Sequence, residues 1–572
     1  MAPDRCLPGS ALPGVGFWFS PKPWEAVEEI GGRHGQGGSL RVRVYIHRGG
    51  LGLSAAAPGS AASAPPWVVH VTSFSGGVSN GVRARLATVD AEVGSTLTLR
   101  PTGTTASEVV AAEDLQNVQM NTDCNPPLPQ NETSVAFNVT NPMNAVAAAN
   151  DYCGDGYWIG VTTDGGKTWK STFKDPKTSN GERCFGSDPS VIYSLRDSAF
   201  YLSTLCFFST SPISEVQVWK SADGGATWTD STKASIAITN RAADGSIDDS
   251  VFYDKELMAV DNNAGSSHYG RIYMTFIKFH LVAPSGRSDY CPVQLAYTDN
   301  IPTEDPRTAT WSHTAVVPDD PGSHGVGPKA NQWAVPVVDP TGGLNVPYAS
   351  EDCNTAYDPA LFFTRSTDGG ASFQAPVRID KPGQFADNPN RQDNLPGKHA
   401  RLPISPSMVF DATRDRLVYV YQNNVARAVS GADISLQTSN DFGATWSDAT
   451  TVSIADSGAA APMDQFFPWI AVDETGNYHA IWFDNRNDPG NKLIETFQAL
   501  STDGGATWTN FNISTARWNP DKSFFTCGCF IGDYNGLAAS DEVIYPVWTD
   551  GRNTAWPPLG QTDIFTNVEI AG

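Results

Sequence analysis

No run of 18 consecutive apolar residues occurs in the 572 residues, so the chain lacks a helix able to cross a bilayer and is expected to be soluble. Positive charge is scarce: 38 Lys and Arg stand against 61 Asp and Glu, a formal net charge of −23. Such a field repels phosphate backbones and anionic lipid at long range, which excludes nucleic acid as a general partner; an anionic ligand would need a local cluster of Arg. The nine Cys show no zinc-ligand spacing and the acidic loops no EF-hand spacing, so no metal and no cofactor is assigned. A clean signal peptide is missing too, because the stretch from Gly9 to Ser20 is only mildly apolar and interrupted by Pro.

What is abundant points one way. Sixteen Trp, 27 Phe and 17 Tyr beside 52 Gly and 40 Pro suit many short strands joined by tight turns, an all-β chain. Apart from Cys6, eight Cys remain: Cys124, Cys153, Cys184, Cys206, Cys291, Cys353, Cys527 and Cys529. An even set favours disulfides in an oxidising compartment, with connectivity left open. Three glycosylation sequons, at Asn131, Asn138 and Asn512, fit a secreted protein.

Residues 1–110 are Gly/Ala/Ser/Pro-rich and read as a flexible leader, with a basic patch at Arg41, Arg43 and Arg48. Residues 111–572 read as one repeat domain, expected to be a monomer. Five segments share the pattern Ser/Thr-x-Asp-x-Gly-x-Thr/Ser-aromatic, around Asp164, Asp223, Asp368, Asp441 and Asp503. In each, Asp accepts turn amides, Gly supplies a positive φ and the aromatic packs between neighbouring sheets, so each is a hairpin turn. The long gap between Asp223 and Asp368 holds a degenerate copy, from Val293 through Asp299 to Trp311.

Upstream of each hairpin lies a second repeat, a short apolar strand, a turn and a strand ending in an aromatic, as in Leu257 to Tyr273, Met408 to Tyr421 and Trp469 to Trp482. Seven such units of about 64 residues suit four-stranded antiparallel blades in a radial propeller, whose blades protect one another's edges. The expectation is therefore a seven-bladed β-propeller, with six blades if the terminal units are fused. The last unit lacks a hairpin, and a strand near Leu115 to Met120 is expected to complete it and close the ring.

These hairpins resemble the Asp-box (BNR repeat) superfamily, whose best-known members are exo-α-sialidases; similar boxes occur in xyloglucan-cleaving hydrolases, polysaccharide lyases, a photosystem assembly factor and sortilin-type receptors. The resemblance covers about residues 120–572 and implies a propeller. It also implies, for a sialidase, an Arg triad, an Asp acid/base and a Tyr nucleophile. The sequence departs from that pattern: no Arg-Ile-Pro motif precedes Asp164, and the nearest likeness, Arg401-Leu-Pro403, follows the third clear hairpin.

In a propeller the loops before the innermost strands and after the second strands converge on one face. The first set offers Asp188, Asp254-Lys255-Glu256, Gln332, His399 with Arg401, Asp464-Gln465 and Asp533-Tyr534. The second offers Asp151, Lys278 and His280, Glu351-Asp352, Asn423, Asp484 with Arg486, and Asp550 with Arg552. Glycoside hydrolysis needs paired carboxyl groups, which nominates Asp254, Glu256, Asp464 and Asp533 as catalytic, with Tyr534 as the nucleophile of a sialidase-like mechanism. Arg401, Arg486 and Arg552 form a candidate carboxylate clamp, with Gln332 and Asp484 as further substrate-binding residues. Asp261 and Asp473 in the Ala-Val-Asp repeats read as turn caps. The function expected is that of a secreted glycoside hydrolase removing a terminal, acidic sugar. A uronate-directed lyase with His268, His280 or His399 as base is the first alternative, and a non-catalytic glycan- or protein-binding propeller the second.

Overall fold

The computed structural model describes residues 64–74, 78–79, 81–86, 109–110, 117–125, 127–317, 329–354, 360–380, 395, 397–425, 429–523, 530–554, 560–567 and 569–570. Seven antiparallel sheets follow one another around a ring, so the chain is a seven-bladed β-propeller and not the six-bladed form. Six innermost strands are Gln130–Asn138, Ser190–Ser194, Val251–Val260, Ser407–Asp411, Gln465–Val472 and Gly536–Ala539. In blade four the inner strand is split into Lys329–Gln332 and Val337–Val338, both pairing with Leu344–Asp352.

The second strand of each blade shows why the blades stack. In Asn141–Asp151, Ala145, Ala147 and Ala149 pack against Tyr545 and Val547 of blade seven, while Val146 and Ala148 pack against Phe200 and Leu202 of blade two. Successive side chains point to opposite faces, and both faces are covered by a neighbour, so the strand reads as an unbroken apolar run. The hydrophobic core accordingly lies between blades and not within one. The ring closes as expected: Val118 and Gln119 pair with Thr566 and Phe565 as the outer strand of blade seven.

All five repeated hairpins make one set of bonds. At Asp164 the carboxylate accepts from Thr162 Oγ1 (2.8 Å), Thr168 N (3.0 Å) and Thr168 Oγ1 (2.6 Å), while Gly166 N donates to Thr162 Oγ1 (2.9 Å). The bonds recur at Asp223, Asp368, Asp441 and Asp503. They stabilise the ionised carboxylate, and Thr507 thereby holds Asp503 down to about 2. The hairpins join third to fourth strands, far from the axis, and in four of them the glycine two residues after the Asp (Gly225, Gly370, Gly443, Gly505) seats the turn on the preceding blade. A Cβ on Gly443, whose φ is +86°, would lie 1.9 Å from the Phe363 ring. The expected degenerate copy in blade three carries a 3-10 turn, and Arg271 there pairs with Asp299 at 2.7 Å.

Three disulfides, Cys124–Cys153, Cys184–Cys206 and Cys291–Cys353, tie loops at the end of the propeller where the inner strands begin; Cys291–Cys353 joins blade three to blade four. Cys6, Cys527 and Cys529 lie outside the described residues. Asn131 of the first sequon is fully buried, so folding removes it from modification, whereas Asn512 is exposed.

The leader expected over 1–110 is in part packed. Pro66–Ser73 is a helix, 81–86 is helical, and Val109–Val110 adds a fifth strand to blade one. Composition misses this because Trp67, His70 and Arg85 find their partners more than 60 residues downstream, at Phe207 and Phe252, at Gly286 and at Gly186. Residues 1–63 and 87–108, the basic patch included, lie outside the described residues.

Candidate functional site

Five of the seven inner strands open with a residue turned out of the sheet. Glu132, Asp188, Lys255, Trp333 and Phe467 occupy equivalent places in blades one, two, three, four and six, and all have positive φ, between 56° and 61°. In blades one, three and six the ladder register slips there, between Asn131 and Ser134, Asp254 and Leu257, and Phe466 and Trp469. A bulge of this kind re-aims a side chain that regular pleating would send into the blade interface, at a cost of about 1–3 kcal/mol per left-handed non-glycine residue. Their repetition makes the axis a meeting point for side chains from several blades.

What meets there is charged. Lys255, 4% exposed, places Nζ 2.8 Å from Asp533 Oδ2, 3.2 Å from Glu132 Oε1 and 3.6 Å from Asp188 Oδ1. Its ammonium also lies over the rings of Trp333 (4.7 Å) and Tyr534 (5.3 Å). Arg401 enters from the loop before blade five, with Nη1 3.6 Å from Asp533 Oδ2 and its guanidinium 5.9 Å from the Trp333 ring. Asp254 accepts from the backbone N–H of Ser79 at 2.5 Å. Glu256 is 0% exposed, and among the described residues neither of its carboxyl oxygens has a hydrogen-bond partner.

These carboxyls are driven apart in acidity. Burial, then the charge of Asp188, pushes Glu132, Asp254 and Glu256 well above the usual carboxylate range. Burial acts on Asp188 in the same sense, but the Lys255 ammonium and hydrogen bonds from Glu132 and Ser187 outweigh it and hold Asp188 low. For Lys255, burial is outweighed by Asp188, Asp533 and Glu132, which keep it charged. The cluster thus holds protonated and ionised carboxyls side by side, the arrangement that acid/base chemistry uses.

Of the residues nominated from sequence, Asp254, Glu256, Asp533, Tyr534 and Arg401 do converge on the axis, and Gln332 is buried in the adjoining strand beside Trp333. Asp464 does not. Its carboxylate is consumed by Lys398 Nζ (2.7 Å), Asn491 Nδ2 (2.7 Å) and Ala432 N (3.0 Å), which makes it the anchor of a loop between blades five and six. The proposed Arg clamp also dissolves. Arg486 grips Asp484, the Ile454 carbonyl and Asn510, and covers the Phe497 ring at 4.2 Å. Arg552 repeats this on Asp550, Thr515, Asn117 and Phe565. In both blades a Trp-x-Asp-x-Arg run is a brace, with Trp482 and Trp548 donating to the same Asp as the Arg, and so Asp484 is structural as well. Tyr534 is buried with its hydroxyl unpartnered among the described residues, and burial with the nearby carboxylates pushes the phenol well above its ordinary value, the opposite of nucleophile activation.

The histidines of the lyase alternative stand off the axis. His280 pairs with Asp289 and stacks on Tyr290, His268 follows the turn at the far end of blade three, and exposed His399 is held through its backbone by Asp521. Asp261 and Asp473 cap turns as expected. Glu132 escaped notice because it sits inside the Asn131 sequon; alignment of Glu132-Thr-Ser134 with Asp188-Pro-Ser190, whose serines both bond the next blade, is the signal that finds it. Below the charged ring, Glu256, Leu257, Trp333, Val335, Trp469 and Tyr534 line a cavity of about 10 Å³, the size of one water.

No family model matches the chain, and no curated protein matches it. Among solved structures it is similar to a Hadza microbial sialidase at 12% identity, over 75% of this chain and 73% of that one, with a TM-score of 0.41. An ulvan lyase bound to a sulfated glycan fragment is similar at 11% identity, over 67% and 79%, with a TM-score of 0.38. A Penicillium chrysogenum α-L-arabinanase is similar at 11% identity, over 67% and 92%, with a TM-score of 0.39. None of these likenesses assigns an activity to this chain.

Proposed function

We propose that the chain is a secreted, monomeric, glycan-active hydrolase whose chemistry is carried by the axial carboxyls. The observation that supports it is the divergence in acidity within one cluster: Asp188 held ionised beside Lys255, and Glu256, Glu132 and Asp254 held protonated by burial and by Asp188. Hydrolysis of a glycosidic bond asks for one carboxylic acid to protonate the leaving oxygen and one carboxylate to act as base or nucleophile. Glu256, with no competing partner among the described residues, is the acid in this reading, and Asp188 the carboxylate. Lys255 and Arg401 keep the neighbouring carboxylates oriented and attract an acidic sugar, while Trp333, Trp469 and Tyr534 offer apolar faces to the ring. The disulfides fit an oxidising compartment.

The test is release of sugar from sialosides, aryl glycosides, arabinan and uronate polysaccharides by the wild type and by Glu256→Gln and Asp188→Asn. General acid/base removal is expected to lower kcat/KM by about 10²- to 10⁴-fold. Turnover undiminished in both variants would sink the assignment. A non-catalytic binding propeller is the second reading, favoured by the one-water size of the axial cavity; silence on every substrate with the axis opened would select it.

A further inference from the structure

Resting on the reading of the axial cluster as an acid/base centre, we propose that residues 64–74, 78–79 and 81–86 form a built-in plug, and that the competent protein is the form in which this segment has left its seat. The segment lies on the carboxyls themselves. Ser79 N donates to Asp254 Oδ2 at 2.5 Å. Two residues on, the chain presses so closely on the ring that a Cβ at Gly81 would fall 2.2 Å from Ser187 Oγ, 2.9 Å from Glu132 Oε2 and 3.1 Å from Asp188 Oδ1. Glycine is needed here for approach, since only backbone fits between the loop and three polar groups.

The seat is built. Arg85, 1% exposed, donates to the carbonyls of Asp151 (2.8 Å), Gly154 (2.7 Å), Gly156 (2.5 Å) and Gly186 (2.8 Å), and lies 4.4 Å above the Tyr152 ring. Trp67 inserts between Phe207 and Phe252 at 5.4 and 5.1 Å, and His70 Nδ1 meets the Gly286 carbonyl at 2.8 Å. These anchors belong to blades one, two and three, at the end where the disulfides sit.

The seat is also separable. Among the described residues, backbone bonds made by 64–86 stay within the segment, as in Phe74 N to His70 O and Arg83 N to Ser79 O; its bonds to the blades all involve a side chain. Departure therefore breaks no sheet ladder. It would admit water to Glu132 and Asp254, whose burial is the first cause of their raised values, and bring them toward a working range. It would also separate Arg83 from Arg401, a like-charged pair that, after burial, draws Arg83 down to about 10.

The experiment uses the full chain with a sequence-specific protease site inserted between residues 95 and 96, with and without Arg85→Ala. Axial carboxyls are labelled with a water-soluble carbodiimide and glycine ethyl ester and read by peptide mass spectrometry. Hydrogen exchange follows residues 66–86 and the blade strands. Cutting the Arg85→Ala protein is expected to raise labelling of Glu132, Asp188 and Asp254 at least tenfold while the strands stay protected, and a synthetic 64–86 peptide is expected to restore protection. Labelling within twofold of the uncut chain after 66–86 has lost protection would overturn the proposal, as would loss of strand protection together with the segment. Labelling that rises without turnover of any glycan leaves the plug standing and sinks the hydrolase reading.

Discussion

Replacing Lys255 with Met keeps the length of the side chain and removes the one ammonium that Glu132, Asp188 and Asp533 share. At an effective dielectric of about 20, unit charges about 4 Å apart attract by about 4 kcal/mol. Part of that attraction is offset by desolvation of the ions, and removing one partner from a buried pair costs about 3–5 kcal/mol, the loss expected here near neutral pH. Its sign with pH follows from the directions of the shifts. The low value of Asp188 contributes stability above the ordinary carboxylate range, which is lost as pH falls through that lowered value. Glu132, Asp254 and Glu256 are raised, so their contribution is present at acid pH and lost as pH rises through their raised values; without Lys255 they rise further. Lys255 itself is raised, so its contribution is complete below about pH 10.5 and fades above it. The difference between wild type and variant should therefore be largest between the ordinary carboxylate range and about pH 10, and shrink as pH falls through the lowered value of Asp188. Urea unfolding followed by Trp fluorescence at several pH values, with the slope checked for change, measures it. A difference that does not vary with pH, or stays below about 1 kcal/mol at neutral pH, would refute the coupling of these groups.

Arg486→Ala, which leaves Asp484 buried without its guanidinium, is expected to cost about 2–4 kcal/mol in unfolding free energy and to leave KM for any glycan unchanged. A raised KM at normal stability would return Arg486 to ligand binding. Gly458→Ala, at φ +80° with nothing within 4 Å, should cost about 1–2 kcal/mol for the left-handed backbone alone. Gly443→Ala adds a clash with Phe363 and should cost about 2–5 kcal/mol, so equal losses in chemical denaturation would deny the hairpin its role between blades. Asp433 is pushed up to about 6 by burial and, against a hydrogen bond from Ser430, by Asp464 and Asp484. It contributes stability that is full below the ordinary carboxylate range and is lost as pH rises through about 6. Asp433→Asn is accordingly expected to flatten the decline in unfolding midpoint between about pH 4 and 7.5, and a decline as steep as that of the wild type would contradict it.

Blade number and ring closure were legible because they are local. A hairpin pinned by Asp164 or Asp441 needs only its own Ser/Thr, Gly and Thr, and a second strand such as Asn141–Asp151 betrays its two covered faces by an unbroken apolar run. The last unit lacked an outer strand, and the segment ending at Met120 was the one available to supply it. The axial site was half legible. Polar residues before an inner strand, such as Asp254-Lys255-Glu256, marked the right end of the blade, and that rule also selected Asp464, which a lysine and an asparagine had already claimed.

The recurrence of Trp482-x-Asp484-x-Arg486 in Trp548-x-Asp550-x-Arg552, at the same place in two successive blades, was itself a sign of structure. Local hydrogen bonding and period-two burial thus determined the blade and its repetition. Which side chains share the axis, and that Ser79 and Gly81 lie against its carboxyls, was decided only by the tertiary structure. Ser79 meets Asp254, and Lys255 meets Asp533, across 175 and 278 residues. Such encounters depend on the summed rotation of seven sheets and on bulges that turn a residue inward in blades one, three and six, and no window of sequence contains either.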